Sequence, residues 1–159
     1  MLLGVISDTH ISGTEKEIPA EVYQIFKQVD LILHAGDLVD LITLDLLNVL
    51  APVRAVAGNM DLPETKGVLP AKQEIEVGPF RLGLIHGWGA PTGIRKRIIR
   101  SFTTIDCCVY GHTHAPYNQV EDGVLFFNPG SATDTVFAPY RSIGLLKIGD
   151  SIEGEIIRL

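Results

Sequence analysis

Seven side chains carry the chemistry open to this sequence: Asp8 and His10, Asp37, Asn59, His86, and His112 with His114. They lie at the ends of short apolar runs, and they include four of the chain's five histidines. Histidines scattered over a surface would show no such preference. Imidazole, carboxylate and amide oxygen without thiolate suit borderline divalent ions such as Mn²⁺, Fe²⁺, Zn²⁺ or Ni²⁺, whereas a structural zinc site more often draws on cysteine. Seven ligands exceed what one ion takes and suit two, with one carboxylate shared. Two ions about 3.5–4 Å apart clamp the attacking and leaving oxygens of an in-line displacement at phosphorus and make hydroxide available near neutral pH. The net charge of −6 gives no general grip on nucleic acid. It would also repel an anionic substrate unless bound cations invert the local field.

For these residues to meet, the runs before them must be strands whose carboxyl ends share an edge. Leu2 to Ser7 leads to Asp8-Thr9-His10, and a polar loop then reaches Pro19. Val22, Ile25, Phe26 and Val29 follow helical spacing behind that proline. Leu31-Ile32-Leu33 runs through His34 to Gly36-Asp37, Leu41 to Leu50 reads as a second helix stopped by Pro52, and Val53 to Ala57 ends in Gly58-Asn59. That βαβαβ order implies a parallel sheet with right-handed crossovers. After a loop punctuated by Pro and Gly, Lys72 to Val77 and Phe80 to Ile85 form a hairpin around Gly78-Pro79, and its second arm delivers His86. Thr92 to Phe102 reads as a third helix, and Cys107 to Tyr110 as the strand before Gly111-His112-Thr113-His114. Val124 to Phe127 leads into Asn128-Pro129-Gly130-Ser131, and a terminal hairpin turns at Gly149-Asp150. Two sheets packed face to face, backed by helices or loops, accommodate this order.

At 159 residues the chain reads as a single domain over 1–159, long enough to bury a core. Hydrophobic residues at 46% against 20% charged exclude a disordered chain. No apolar run approaches the ~20 residues of a membrane span. The first residues lack a basic leader and a cleavage site, so a cytoplasmic location is expected. Cys107 and Cys108, the only cysteines, are neighbours in one strand and point to opposite faces. They cannot pair, and they read as buried filler.

In chain order, Asp8-x-His10, Gly36-Asp37, Gly58-Asn59, His86, Gly111-His112-Thr113-His114 and Asn128-Pro129-Gly130-Ser131 resemble the calcineurin-like metallophosphoesterases. More narrowly they resemble the small YfcE-type phosphodiesterases of bacteria and archaea, over essentially the whole chain. The resemblance implies a four-layer α/β/β/α sandwich of two packed mixed sheets. It also implies two divalent metal ions, commonly Mn²⁺, whose bridging hydroxide attacks a phosphate diester. By that resemblance Asp8, His10, Asp37 and His114 hold one ion, and Asp37, Asn59, His86 and His112 the other, with Asp37 as the bridge. Asp37, Asn59 and His112 are then the catalytic set. Asn59, His112, Gly130 and Ser131 are the candidate contacts to a small phosphodiester substrate, although the Asn-Pro-Gly-Ser stretch reads equally as a tight turn.

One position departs from the pattern. Many superfamily members carry a histidine after the Gly-Asn pair and the YfcE-like branch usually a cysteine, whereas this chain has Met60. A thioether donates no proton, and a missing general acid costs about 10²–10⁴-fold in rate. Slow turnover, a preference for diesters with good leaving groups, or a metal-bound water as the acid is therefore expected. Asp61, the following acidic residue, is given no catalytic role. His34 reads as a supporting histidine rather than a ligand, and Arg95-Lys96-Arg97 with Arg100 as the solvated face of the third helix. Trp88 belongs to the substrate cleft or to a subunit contact. Two rival functions remain on this fold: a non-catalytic metal-binding scaffold, as in the retromer's phosphoesterase-like subunit, and a nuclease. No stable nucleic-acid or membrane partner is expected, and a homo-oligomer stays open.

Overall fold

The computed structural model describes residues 1–13 and 17–159, so the middle of the polar loop after His10 lies outside the described residues. The short apolar runs form the strands. Those buried on both faces are apolar except for His34 at the end of β2, as parallel strands require: β1 (Leu2–Ile6), β2 (Leu31–His34) and β6 (Cys107–Tyr110). With β3 (Val53–Ala55), β9 (Ser142–Ile148) and β10 (Ile152–Arg158), β1 and β2 build a sheet of order β10-β9-β1-β2-β3. The second sheet has the order β4-β5-β6-β8-β7, with β4 (Lys72–Val77), β5 (Phe80–Ile85), β7 (Tyr117–Glu121) and β8 (Val124–Asn128).

Each sheet holds three parallel neighbours, β1, β2 and β3 in one and β5, β6 and β8 in the other, with antiparallel strands outside them. The register keeps their carboxyl ends level: Ile6 pairs with His34 and His34 with Ala55, while Ile85 pairs with Tyr110 and Val109 with Phe127. Between the sheets lies a core of Leu3, Val5, Leu33, Leu84, Val109, Phe127 and their neighbours. On the outer face of the first sheet, α1 (Ala20–Phe26) buries Val22 and Phe26, and α2 (Ile42–Asn48) buries Leu47. Outside the second sheet, Ile94 and Ile98 of α4 (Ile94–Ile98) pack with Phe102, Cys108, Tyr110 and Phe126. The layers are thus helix, sheet, sheet and helix, as expected. Cys107 faces the inter-sheet core and Cys108 the helix side, both buried and free.

Three local expectations are corrected. The punctuated loop after Asn59 contains a short helix, α3 (Pro63–Val68), with Pro63 at its first turn and Thr65 Oγ1 donating to Val39 O at 2.9 Å. Gly67 and the short length hid it. The third helix is shorter than Thr92 to Phe102: α4 covers Ile94–Ile98 and tightens into a 3₁₀ turn over Ile99–Ser101. Strand β7 carries no apolar run to signal it, because Tyr-Asn-Gln-Val-Glu is mostly polar, which an edge strand tolerates. Among the described residues, no helix is long and apolar enough to cross a membrane.

Candidate metal centre

The level strand ends bring the seven side chains together from both sheets. Asp8, His10, Asp37 and Asn59 come from the loops after β1, β2 and β3, and His86, His112 and His114 from those after β5 and β6. The backbone there is unusual. Seven described non-glycine residues have positive φ, and Asp8, His10, Asp37, His112 and His114 are five of them. That left-handed region costs an L-residue free energy and clusters where side chains must be aimed. Two glycines make room for the aim. A Cβ on Gly58 would stand 2.1 Å from Asp37 Oδ1, and one on Gly111 would stand 2.0 Å from Ser7 Oγ and 2.8 Å from Asp8 Oδ2.

In one half of the cluster, each histidine spends one nitrogen on a main-chain carbonyl. His86 Nδ1–H donates to Ala35 O at 2.8 Å, and His112 Nε2–H to Gly89 O at 2.8 Å. The other nitrogens, His86 Nε2 and His112 Nδ1, then face Asn59 Oδ1 from 3.1 and 3.0 Å. His86 Nε2 also lies 3.3 Å from Asp37 Oδ2. In the other half, His114 Nδ1–H donates to Asp134 Oδ2 at 2.5 Å. His114 Nε2 is left 3.3 Å from Asp8 Oδ1 and 3.3 Å from His10 Nε2, which is itself 3.8 Å from Asp37 Oδ2. Neutral imidazole nitrogens and carboxylate oxygens both present lone pairs. Such a gathering needs extra protons or cations at its centre, and its donor types and spacing fit divalent ions.

Ligand atoms of Asp8, His10 and His114 lie within 4.8 Å of one another, as do those of Asp8, Asp37 and His86. Asp8 is therefore common to both groups, while Asp37 reaches His86 and His10 and so also spans the halves. His112 joins through Asn59.

The electrostatics report the same crowding. Burial alone would raise the Asp37 carboxyl, but the His86 hydrogen bond and charge, the Met60 N–H at 2.7 Å and His10 hold it below its usual range. Burial would lower His86, yet the Asp37 hydrogen bond and the charges of Asp8 and Asp37 raise it. The hydrogen bond to Asp8 leads in raising His114 to about 9, against burial and with help from Asp134. Without metal, protons are thus held where cations would neutralise the same carboxylates.

The supporting residues are legible in the hydrogen bonds. His34 is fully buried; Nδ1 accepts from Gly36 N–H at 3.2 Å, so Nε2–H donates to Thr9 Oγ1 at 3.1 Å. It ties the Asp8–His10 loop to the Asp37 loop. Asp61 does the same between Val39 N–H at 2.6 Å and Gly58 N–H at 2.7 Å. Gly130 and Ser131, candidate substrate contacts by resemblance, are buried. Gly130 N–H donates to Asn128 Oδ1 at 2.8 Å, and the Ser131 hydroxyl is spent on Asp8 O at 2.7 Å. The turn braces Asp8 from inside the protein.

Nothing local in the sequence singles out Asp134. It lies in a polar stretch with no apolar run before it, so only its bond to His114 reveals it. Nor is the basic stretch of the third helix simply solvated. Arg95 pairs with Glu121 at 2.6 Å and stacks 4.1 Å from the Tyr117 ring centroid, and Arg97 binds the carbonyls of Trp88, Ala90 and Thr92.

The profile of the calcineurin-like phosphoesterase superfamily domain matches residues 1–151, and the chain belongs to that superfamily. A probable metallophosphoesterase of Methanothermobacter thermautotrophicus is 41% identical, over 99% of this chain and 92% of that protein. A solved structure described as a novel archaeal phosphodiesterase superposes with TM-score 0.82 at 26% identity, over 100% of both chains. Vps29 of Entamoeba histolytica, solved with zinc, superposes with TM-score 0.74 at 29% identity over 99% of each chain. The chain is thus a metallophosphoesterase-family protein with metal-competent groups at its strand ends.

Proposed function

We propose that this protein is a dinuclear-metal phosphodiesterase hydrolysing phosphate diesters without a covalent enzyme intermediate. The observation that carries the reading is the convergence of nitrogen and oxygen lone pairs from both sheets onto Asp8 and Asp37, with tautomers set by Ala35 O, Gly89 O and Asp134. Asp8, His10 and His114 would hold one ion and Asp37, Asn59, His86 and His112 the other. When bound, two such ions would supply a water of lowered pKa as the nucleophile and positive charge for the phosphate oxygens. The chain's own part is to aim these ligands through strained loops and to hold the histidine tautomers. Met60 supplies no proton to the leaving group, so diesters with good leaving groups are favoured. Mn²⁺ is the metal the resemblance favours, with Ni²⁺, Fe²⁺ or Zn²⁺ as alternatives. The archaeal phosphodiesterase of the same fold supports the diester assignment.

Hydrolysis of bis-p-nitrophenyl phosphate by Mn²⁺-loaded protein, lost in Asp37→Ala together with bound metal, is the expected result. Stoichiometric metal binding with no hydrolysis under Mn²⁺, Ni²⁺, Fe²⁺ or Zn²⁺ would instead favour the scaffold reading, for which Met60 is the one observation.

A further inference from the structure

Two cavities open from the two halves of the cluster and share no residue. One, of about 380 Å³, takes in Asn59, His86 and Trp88; the other, of about 330 Å³, takes in His10, His114, Asp134 and Phe137. A third, of about 400 Å³ at the Gly78-Pro79 hairpin, touches none of the ligand residues. Each of the two site cavities carries one aromatic ring left open to solvent, Trp88 at 47% and Phe137 at 85% exposure. Exposed rings beside a polar, concave site are characteristic of ligand surfaces.

Neither ring hangs on a slack loop. The Arg97 guanidinium donates to Trp88 O at 3.0 and 3.3 Å and to Thr92 O at 2.9 Å, which pins the segment after His86. Asp134 Oδ1 accepts from Val136 N–H at 2.8 Å and Phe137 N–H at 3.1 Å, and Oδ2 accepts from Ala138 N–H at 3.1 Å. The carboxylate that orients His114 therefore also fixes the backbone that presents Phe137. A rigid backbone with an unpacked ring is a preorganised stacking platform, because little ordering remains to be lost on binding.

We propose that the two cavities receive the two ester arms of a phosphodiester and that each arm bears a planar ring, one stacked on Trp88 and the other on Phe137. The proposal rests on the phosphodiesterase reading and narrows it to diesters with a ring system on both sides of phosphorus. A diester has two arms to place and the cluster has a cavity at each half. A monoester would leave one cavity and its ring without a purpose.

The test compares thymidine 5′-(p-nitrophenyl) phosphate with methyl p-nitrophenyl phosphate, which share a leaving group and differ in the second arm. Wild-type protein loaded with Mn²⁺ should favour the thymidine ester in kcat/KM by about tenfold or more, the scale of one stacked ring. Trp88→Ala and Phe137→Ala should each lower kcat/KM for that ester about tenfold, and the double variant should bring the ratio of the two substrates close to one. Both positions are exposed, so the variants are expected to keep the wild-type far-UV circular dichroism. Trp88 is the only tryptophan. Stopped-flow mixing with bis-p-nitrophenyl phosphate should quench its emission saturably before turnover, with half-saturation raised about tenfold in Phe137→Ala. A folded double variant that keeps the wild-type ratio would overturn the arm assignment and leave the phosphodiesterase reading standing. So would a concentration-dependent dimer abolished by Trp88→Ala, which would make the rings a subunit contact. No hydrolysis of either ester by metal-loaded wild type would overturn both.

Discussion

His34 should make this fold acid-labile at a pH where its carboxylates are still ionised. Burial lowers its pKa to about 3, with His86 and His10 adding to the effect and the charges of Asp8 and Asp37 opposing it. The hydrogen bonds give the structural reason. Nδ1 already accepts from Gly36 N–H at 3.2 Å, so a proton there would face another N–H. The unfolded chain takes up that proton near pH 6.5. Below 6.5 it therefore binds more protons at this residue than the folded chain does, and stability falls with pH until about 3. Between pH 6.5 and 5 the loss is about 1.6 kcal/mol, because the slope grows from half of about 1.36 kcal/mol per pH unit at 6.5 to nearly all of it at 5. His114, raised to about 9, and His86, also raised, contribute stability of the opposite pH dependence. In metal-free protein His114's share is complete below 6.5 and lost as pH rises through 9. Asp37 and Asp134 are lowered, so their share goes only below the ordinary carboxylate range.

His34→Gln keeps a donor for Thr9 and cannot titrate, at a cost of about 1–3 kcal/mol at neutral pH for the unsatisfied Gly36 N–H. Urea unfolding of chelator-treated protein should show the wild-type midpoint dropping about 1 M more than that of the variant between pH 6.5 and 5, for an m-value of about 2 kcal/mol/M. Parallel pH dependences would refute the reasoning, because every other titrating group is common to both proteins.

Two further outcomes follow from the site. Asp134→Asn removes the charge that orients His114 and should weaken binding of one ion about 10–100-fold, read by Mn²⁺ titration calorimetry. Met60→His should raise kcat about tenfold or more for diesters with poor leaving groups and change p-nitrophenyl esters little, because only a poor leaving group needs a proton.

The gathering of the candidate strand-end side chains was legible because short apolar runs encode strands locally, and the ends of parallel strands converge by the rules of sheet packing. Asp8, Asp37, Asn59, His86 and the His112–His114 pair could be named on that ground. So could the two-sheet sandwich and the opposed faces of Cys107 and Cys108. Edge strand β7 and helix α3 carried too little apolar periodicity to be read. Only the tertiary structure could assign Asp134 to His114, Ser131 to Asp8 O, and His34 to both Thr9 and Gly36. Those are single contacts between loops that share no local pattern, and they exist only once β1 lies beside β2 and β6 beside β8. The left-handed backbone at Asp8, His10, Asp37, His112 and His114 belongs to the same class. It costs free energy locally and is held by the packed sheets around it, so no stretch of sequence announces it alone.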